Sequence, residues 1–311
     1  MMRVVFFGSP EAALPSFQTL LDKGHRVELV VTQPDRPSGR GRKLQPSAVK
    51  RFALDHRIPV LQPDRIRKDI AALDALRRVA ADIHVVVAFG QILPDAIIDL
   101  PEYKSVNVHF SLLPKYRGAA PVAWAILNGE AETGVTIFRL NAKMDEGDIL
   151  AAVATEIRPG ETAGDLETRL ARLGAGLLAD SLERIDTLTP VPQNHSMATL
   201  APKLGKEDGR LSWFEPAGLV ERKVRAFTPR PGAFTAAHGR RLLILRGRAL
   251  GATRQGPAAG AVTGIAKEGL DIACGDGSVF RIERLQPESR TAMDAYAFSL
   301  GERITAGTVF G

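Results

Sequence analysis

Three side chains of the kinds that assist carbonyl chemistry lie in two segments near the middle of the chain. Asn107 and His109 belong to residues 105–118, which predict a short strand running into a tight loop. Residues two apart share one face of a strand, so this amide and imidazole point the same way. Such groups can hold a carbonyl oxygen while negative charge develops on it. Asp145, 36 residues after His109, can supply the third group. Together they predict acyl transfer through a tetrahedral intermediate.

The sequence around these residues resembles the folate-dependent formyltransferases. The resemblance is carried by Asn-x-His at 107–109, Ser-Leu-Leu-Pro at 111–114, Arg-Gly-Ala-Ala-Pro at 117–121 and Asp-x-Gly-Asp at 145–148. It extends from Val-Val-Phe-Phe-Gly at 4–8 to the last predicted strands, and is closest to the members that act on methionyl-tRNA. It implies that Asn107 and His109 stabilise the oxyanion, and that Asp145 orients His109 and assists proton transfer.

The resemblance also implies the substrates. The co-substrate would be 10-formyltetrahydrofolate, and the acceptor would be the free amino group of initiator methionyl-tRNA, in support of translation initiation. Two loops at strand ends could form a narrow apolar cleft for the flat pterin, where open α/β sheets bind ligands. The residues expected to contact the folate are Ser111, Leu112, Leu113, Pro114, Phe89, Gly90, Ile92 and Leu93.

Charge is unevenly distributed along the chain, whose formal net charge is +6. Residues 1–204 hold 25 basic and 24 acidic side chains, whereas residues 205–311 hold 16 and 11. Residues 33–51 add six basic side chains against the single acid Asp35. Basic surfaces of this kind suit the phosphates of a nucleic acid, although they equally suit a solvated surface. With the resemblance, they predict tRNA contacts at Arg36, Arg40, Arg42, Lys43, Lys203 and Lys206.

The chain is long enough for two domains, and the pattern of apolar runs predicts an α/β fold. A Rossmann-like, mostly parallel sheet with covering helices is predicted for residues 1–189, as the catalytic domain. Residues 190–205 hold prolines and no periodic pattern, which is typical of a linker. Five short predicted strands then indicate a small OB-fold-like β-barrel in residues 206–311, expected to bind tRNA.

Several classes of function are disfavoured. The first strand is followed by Gly-Ser-Pro rather than GxGxxG, so no NAD site is expected. No histidine pair has the spacing of metal ligands, and Cys274 is the single cysteine, so no metal is expected. The chain has no apolar run of about 18 residues, so no membrane association is expected. We expect a cytoplasmic monomer.

Three alternatives share part of this pattern. A formyltransferase acting on a small amine, or a hydrolase releasing formate, would need the same three catalytic side chains. A catalytically silent tRNA-binding protein would need only the basic surfaces.

The chain departs from the resembled family at Phe110, where a small residue is usual. Period-2 alternation predicts that this ring packs into the core on the far face of the strand, away from Asn107 and His109.

Overall fold

The long apolar runs in the first half of the chain form one central sheet. The structure, a computed structural model, describes residues 1–38, 43–251 and 258–311. It divides into two compact units. The first holds Met1–Pro121, Glu132–Glu156 and Glu167–Pro202, and the second holds Val122–Ala131, Ile157–Leu166 and Lys203–Gly311.

Strands and helices alternate through the first half of the chain. The strands are β1 (Arg3–Gly8), β2 (Arg26–Val31), β3 (Arg36–Ser38), β4 (Lys43–Gln45), β5 (Val60–Leu61), β6 (Ile83–Val87), β7 (Ser105–His109), β8 (Glu132–Arg139) and β9 (Ile149–Glu156). The helices are α1 (Leu14–Asp22), α2 (Ala48–Asp55), α3 (Ile70–Val79), α4 (Asp95–Ile98), α5 (Pro121–Leu127) and α6 (Ala163–Glu183). The main sheet has the order β5-β2-β1-β6-β7-β8-β9. Its first five strands are parallel, and β8 and β9 run antiparallel to their neighbours. The predicted mostly parallel α/β sheet is confirmed.

The sheet is covered on both faces, which explains why its strands read as continuous apolar runs. On one face Phe7 and Val86 pack into a core with Phe89. On the other face the ring of Phe6 stacks on that of Phe17 in α1, with 4.7 Å between their centroids. This two-sided burial leaves the strand ends and the loops beyond them as the places where polar side chains can meet a ligand.

Two predicted helices begin as 3-10 turns. The sequence predicts one helix over 10–23 and one over 66–79, and the structure starts them with Glu11–Ala13 and Ile66–Lys68. The first turn runs directly into α1, whereas the second is broken at Asp69, whose side chain accepts a hydrogen bond from the N–H of Ala72 at 2.9 Å and caps a new helix start at Ile70.

The basic segment 33–44 also differs from the extended loop that its Pro and Gly content predicts. Its flanks pair as the antiparallel hairpin of β3 and β4, with Arg36 opposite Gln45. Arg40 and Arg42 lie outside the described residues.

The second unit is built on an antiparallel sheet. Its elements are α7 (Ala217–Phe227), β10 (Phe234–Ala237), β11 (Arg240–Leu250), β12 (Val262–Ala266), β13 (Gly269–Ala273), β14 (Val279–Pro287), β15 (Met293–Asp294) and α8 (Ala295–Gly301). The order is β10-β11-β14-β13-β12, with β15 paired to β14. Residues near the end of the chain bond to both edge strands: Val262 N donates to Thr308 O at 2.8 Å, and Gly311 N donates to Ala236 O at 2.9 Å. These bonds close the sheet, as a barrel requires.

The expected antiparallel β domain is therefore confirmed, whereas the domain boundaries at 189/190 and 205/206 stay a prediction. Within the described ranges of the chain, no helix combines the length and apolar character needed to cross a bilayer.

His84 interrupts the apolar run of β6, and the sequence predicts a hydrogen-bonded core or edge residue. The structure confirms this, because His84 is 1% exposed and its Nδ1 lies 3.1 Å from Ser105 Oγ. Burial disfavours the charged ring and lowers the pKa of His84 from 6.5 to about 4. The residue therefore contributes to folding only as a neutral imidazole.

We expect this residue to make stability depend on pH. Above pH 6.5 the ring is neutral in the folded and the unfolded state, so it contributes nothing to the change of stability with pH. As pH falls from 6.5 towards 4, the unfolded chain takes up a proton that the folded chain does not, so stability is lost, by about 3 kcal/mol in total. Urea unfolding at pH 4 to 7.5 of wild type and His84→Gln measures this difference, and the variant should show the flatter dependence. Parallel pH dependences would contradict a buried neutral His84.

Candidate active site

Strand β7 places the predicted amide and imidazole on one face of the sheet. Asn107 pairs with Val86 on one side and Phe138 on the other, and His109 pairs with Thr136. Asn107 is half-buried, and its amide has no hydrogen-bond partner among the residues that the structure describes. That amide is therefore available to a ligand.

The opposite face of β7 packs against helix α6. A Cβ built on Gly174 of that helix would lie 2.8 Å from Val108 Cγ1 and 3.7 Å from Phe110 Cε1. Phe110 is 7% exposed. The prediction that its ring fills the core behind the strand is confirmed, and Phe110 does not occupy the face that carries Asn107 and His109.

His109 is buried and held by a backbone carbonyl. Its Nε2 lies 3.0 Å from the oxygen of Tyr116. A carbonyl only accepts hydrogen bonds, so Nε2 carries the hydrogen and donates it. The other ring nitrogen, Nδ1, lies 3.9 Å from Asp145 Oδ2. The ring is thereby fixed with one nitrogen turned towards the carboxylate.

Asp145 reaches His109 only because its loop folds back over the sheet. Strand β8 runs antiparallel to β7, so its last residue, Arg139, lies beside Val106 rather than beside His109. The loop returns along the sheet, and Asp145 adopts a left-handed backbone conformation with φ of 53°. Its Oδ2 accepts a hydrogen bond from the N–H of Gly118 at 2.8 Å. His109 and Asp145 therefore lie together at the end of β7, and Asn107 lies two residues earlier on the same face of the strand.

The Ser-Leu-Leu-Pro loop is held by internal hydrogen bonds. Ser111 is fully buried, and its hydroxyl donates to Lys115 O at 2.7 Å. Thr136 Oγ1 donates to Ser111 O at 2.7 Å and accepts from the N–H of Leu113 at 3.1 Å. Leu112 packs over Gly134, where a Cβ would lie 2.5 Å from Leu112 Cδ2. These bonds fix the shape of the loop and leave Leu112 and Pro114 only half-buried.

The second predicted folate loop, after β6, also contains both buried and exposed residues. Phe89 and Leu93 are buried in the apolar core, at 2% and 4% exposure. Gly90 is exposed, and Ile92 is 65% exposed. The carbonyl of Phe89 accepts a hydrogen bond from Gln33 Nε2 at 3.0 Å, which ties this loop to the segment after β2. Of the four residues predicted to contact the folate from this loop, Gly90 and Ile92 are the two that present surface to solvent.

The predicted tRNA contacts are exposed where the structure describes their side chains. Arg36, Lys203 and Lys206 all lie on the surface. In contrast, Lys50, one of the six basic residues in 33–51, is already paired: its Nζ lies 2.7 Å from Asp35 Oδ2, and the hydrogen bond lowers the pKa of that carboxyl. The count of six basic residues in 33–51 therefore exceeds the number of positive charges that are available to bind a phosphate.

A network of polar side chains beside the site was not predicted from the sequence. Arg117 is 5% exposed, and its Nη1 lies 3.5 Å from Glu146 Oε1. Its Nε and Nη2 donate to Gln193 Oε1 at 3.1 and 2.7 Å, and Nη2 also donates to His195 Nδ1 at 3.1 Å. Arg117 carried a signal, as part of the motif at 117–121. Gln193 and His195 carried none, because the sequence places both in the predicted linker.

A separate cavity of about 340 Å³ lies in the second unit. Its lining includes Arg158, Arg222, Arg225, Glu130 and Glu221. The cavity combines three basic and two acidic side chains, and none of the residues predicted for catalysis, folate or tRNA lines it.

Comparisons with known proteins give matches in both parts of the chain. Residues 2–182 match the family model described as formyl transferase, and residues 203–303 match that of the formyl transferase C-terminal domain. A methionyl-tRNA formyltransferase of Geobacter sulfurreducens is 43% identical over 312 residues, covering 100% of this chain and 97% of the relative. One of Synechococcus sp. is 45% identical over 319 residues, covering 99% and 98%.

Solved structures share the fold. HypX from Aquifex aeolicus in complex with tetrahydrofolic acid aligns with a TM-score of 0.64 at 20% identity, over 97% of this chain and 47% of that one. An N-formyltransferase from Helicobacter canadensis, in complex with folinic acid and dTDP-3-aminofucose, aligns with a TM-score of 0.63 at 20% identity, over 91% and 99%. At this identity the likeness concerns the fold alone.

Proposed function

The chain belongs to the formyl transferase family, and on that premise we propose that it transfers a formyl group from 10-formyltetrahydrofolate to the amino group of initiator methionyl-tRNA. The observation that carries the proposal is the convergence of His109 and Asp145 at the end of β7, with 3.9 Å between their side chains and with Asn107 on the same face of the strand. This convergence occurs in a chain that matches methionyl-tRNA formyltransferases over its whole length.

The proposed chemistry follows from the three side chains. The methionyl amine attacks the formyl carbon, a C–N bond forms, and the carbonyl oxygen takes up negative charge. The free amide of Asn107 donates a hydrogen bond to that oxygen. His109 stabilises the charge through Nδ1, which carries a hydrogen during this step while Nε2 keeps donating to Tyr116 O. The carbonyl then re-forms as the bond from the formyl carbon to the folate nitrogen breaks, and the leaving folate nitrogen takes up the proton that the attacking amine gives up through Asp145. Asp145 orients His109 and takes the ammonium proton, directly or through water.

The co-substrate is proposed to lie against the loops that follow β6 and β7. The exposed Gly90 and Ile92, with the half-buried Leu112 and Pro114, would supply the contact surface of a narrow, partly apolar cleft. The buried Phe89, Leu93, Ser111 and Leu113 would support that surface from behind.

Phosphate contacts by basic residues are proposed to hold the tRNA, at Arg36, Arg40, Arg42, Lys43, Lys203 and Lys206. Arg36 is exposed on β3, and its Nη2 donates to Gln33 Oε1 at 3.4 Å, which leaves the other donors of its guanidinium for a phosphate. Contacts of this kind give affinity rather than base identity. We also propose that the protein acts as a cytoplasmic monomer.

We expect Arg42→Ala to raise the KM for methionyl-tRNA about 10-fold, because one phosphate contact with a guanidinium is lost. The KM for the folate should change less than about 2-fold, since its cleft holds no predicted basic contact. Steady-state kinetics with each substrate varied in turn make the measurement. Arg78→Ala, at an exposed position on α3, is the matched control. An equal loss for both substrates would contradict the assignment of Arg42.

The deciding experiment is a discontinuous assay with 10-formyltetrahydrofolate and four acceptors: charged initiator methionyl-tRNA, charged elongator methionyl-tRNA, free methionine and water. Rapid formylation of the initiator alone supports the proposal. Folate turnover with small amines or water would instead favour a small-amine transferase or a hydrolase. Tight tRNA binding without turnover would favour a silent binding protein.

A further inference from the structure

The segment between the two predicted domains is docked along the candidate active site. Its residue Val191 exchanges backbone hydrogen bonds with Ile149, both at 2.8 Å. Further on, Arg117 N donates to Thr199 O at 2.9 Å, and Ala201 N donates to Arg117 O at 2.7 Å. The predicted linker is therefore paired with the two chain segments that flank Asp145 and Gly118.

Gln193 lies between these two docked points and is 5% exposed. Its Nε2 donates to the carbonyl oxygens of Asp145 and Gly147, at 2.9 and 2.7 Å. Its Oε1 accepts from Arg117. One side-chain amide thus uses both donors and its acceptor to join the loop that carries Asp145 to the segment that positions Gly118.

These contacts bear directly on the Asp145 carboxylate. The bonded carbonyls stand on either side of Glu146, so Gln193 fixes the peptide planes that set the direction of the Asp145 side chain. The left-handed backbone of Asp145, with φ of 53°, is one that a non-glycine residue seldom adopts without support from its surroundings. Gly118, whose N–H holds the carboxylate, is preceded by Arg117, the other partner of Gln193.

We propose that Gln193 is a positioning residue for formyl transfer, which holds the Asp145 carboxylate against His109 before the substrates bind. The inference rests on the proposed function of Asp145. It assigns a catalytic-site role to a residue of the predicted linker, which would otherwise only join two domains.

The first test is Gln193→Met, which keeps the length of the side chain and removes all its hydrogen bonds. We expect kcat to fall about 10- to 100-fold, because small displacements of a catalytic group cost rates of this order. The KM values for folate and methionyl-tRNA should stay within about 2-fold of wild type. Gln193 contacts none of the residues proposed for the folate cleft and none of the basic residues proposed to bind tRNA. Asn194→Ala, which removes a neighbouring exposed cap, should leave kcat unchanged.

Gln193→Glu provides a second variant should Gln193→Met fail to fold. Glutamate still accepts from Arg117 but loses both donors to the carbonyls of Asp145 and Gly147, so kcat should fall at least as far. Turnover within about 2-fold of wild type in either folded variant would overturn the proposal, because such losses are expected whenever a catalytic group is displaced.

A double-mutant cycle separates positioning from a general structural role. If Gln193 acts through the Asp145 carboxylate, Gln193→Met should lower kcat less than about 2-fold in an Asp145→Asn background. An equal loss in both backgrounds would overturn the proposal. If the wild-type enzyme formylated only a small amine, the proposed tRNA acceptor would be wrong, but the proposal for Gln193 would still be tested. The double-mutant cycle would then be measured with that amine as the acceptor.

Discussion

Asp145→Asn is expected to lower kcat about 1000-fold, within the range that acid–base groups contribute. The amide has nearly the same size and can still accept the hydrogen bond from the N–H of Gly118 that Oδ2 accepts now. It has no charge, so it neither accepts the ammonium proton nor faces His109 Nδ1 as an anion. The free energy of unfolding should change by less than about 1 kcal/mol, because no hydrogen bond is lost.

Single-turnover formylation and urea unfolding of the same preparation measure both quantities. Asp64→Asn, the same chemical change at an exposed position outside the site, should leave both unchanged. If Asp145→Asn turned over at a near-normal rate, Asp145 would have no part in proton transfer.

Asn107→Ala is expected to lower kcat about 100- to 1000-fold, the usual cost of removing one oxyanion donor. Stability should change little, because the half-buried amide bonds to none of the described residues. Removing it therefore breaks no contact in the folded protein. Rates and unfolding free energies of the purified variant test this separation of catalysis from stability.

Ser105→Ala, two residues earlier on the same face of β7, should give the opposite result. Ser105 is buried and its hydroxyl donates to Ile98 O at 3.0 Å and lies beside His84, so its loss should cost about 1 to 3 kcal/mol of stability. The kcat of Ser105→Ala should stay within about 2-fold of wild type.

The prediction for Asn107 has one contradicting outcome. A kcat of Asn107→Ala close to wild type would show that the amide does not contact the developing oxyanion.

Local pattern was sufficient for much of this molecule. The alternation along residues 105–110 predicts that Asn107 and His109 share a face and that Phe110 packs behind them, as observed. Uninterrupted apolar runs predict parallel strands buried on both sides. These features depend on the geometry of a single strand and on which side chains avoid water, and both properties are written in adjacent residues.

Other features depended on the packing of the whole chain. Asp145 comes within 3.9 Å of His109 because its loop returns across an antiparallel strand, which no local pattern states. Phe89 and Leu93 have the residue types of a ligand cleft, yet they fill the core because of the strands beside them.

The sequence by itself determined the sheet, the face of β7 and the identity of the three reactive groups. The tertiary structure decided how these groups are held: Gln193 meets Arg117 across 76 residues and Asp145 across 48. Contacts between residues so far apart arise only after the sheet, the returning loop and the docked linker have all formed. A residue such as Gln193 therefore carries no signal in its own neighbourhood of the sequence.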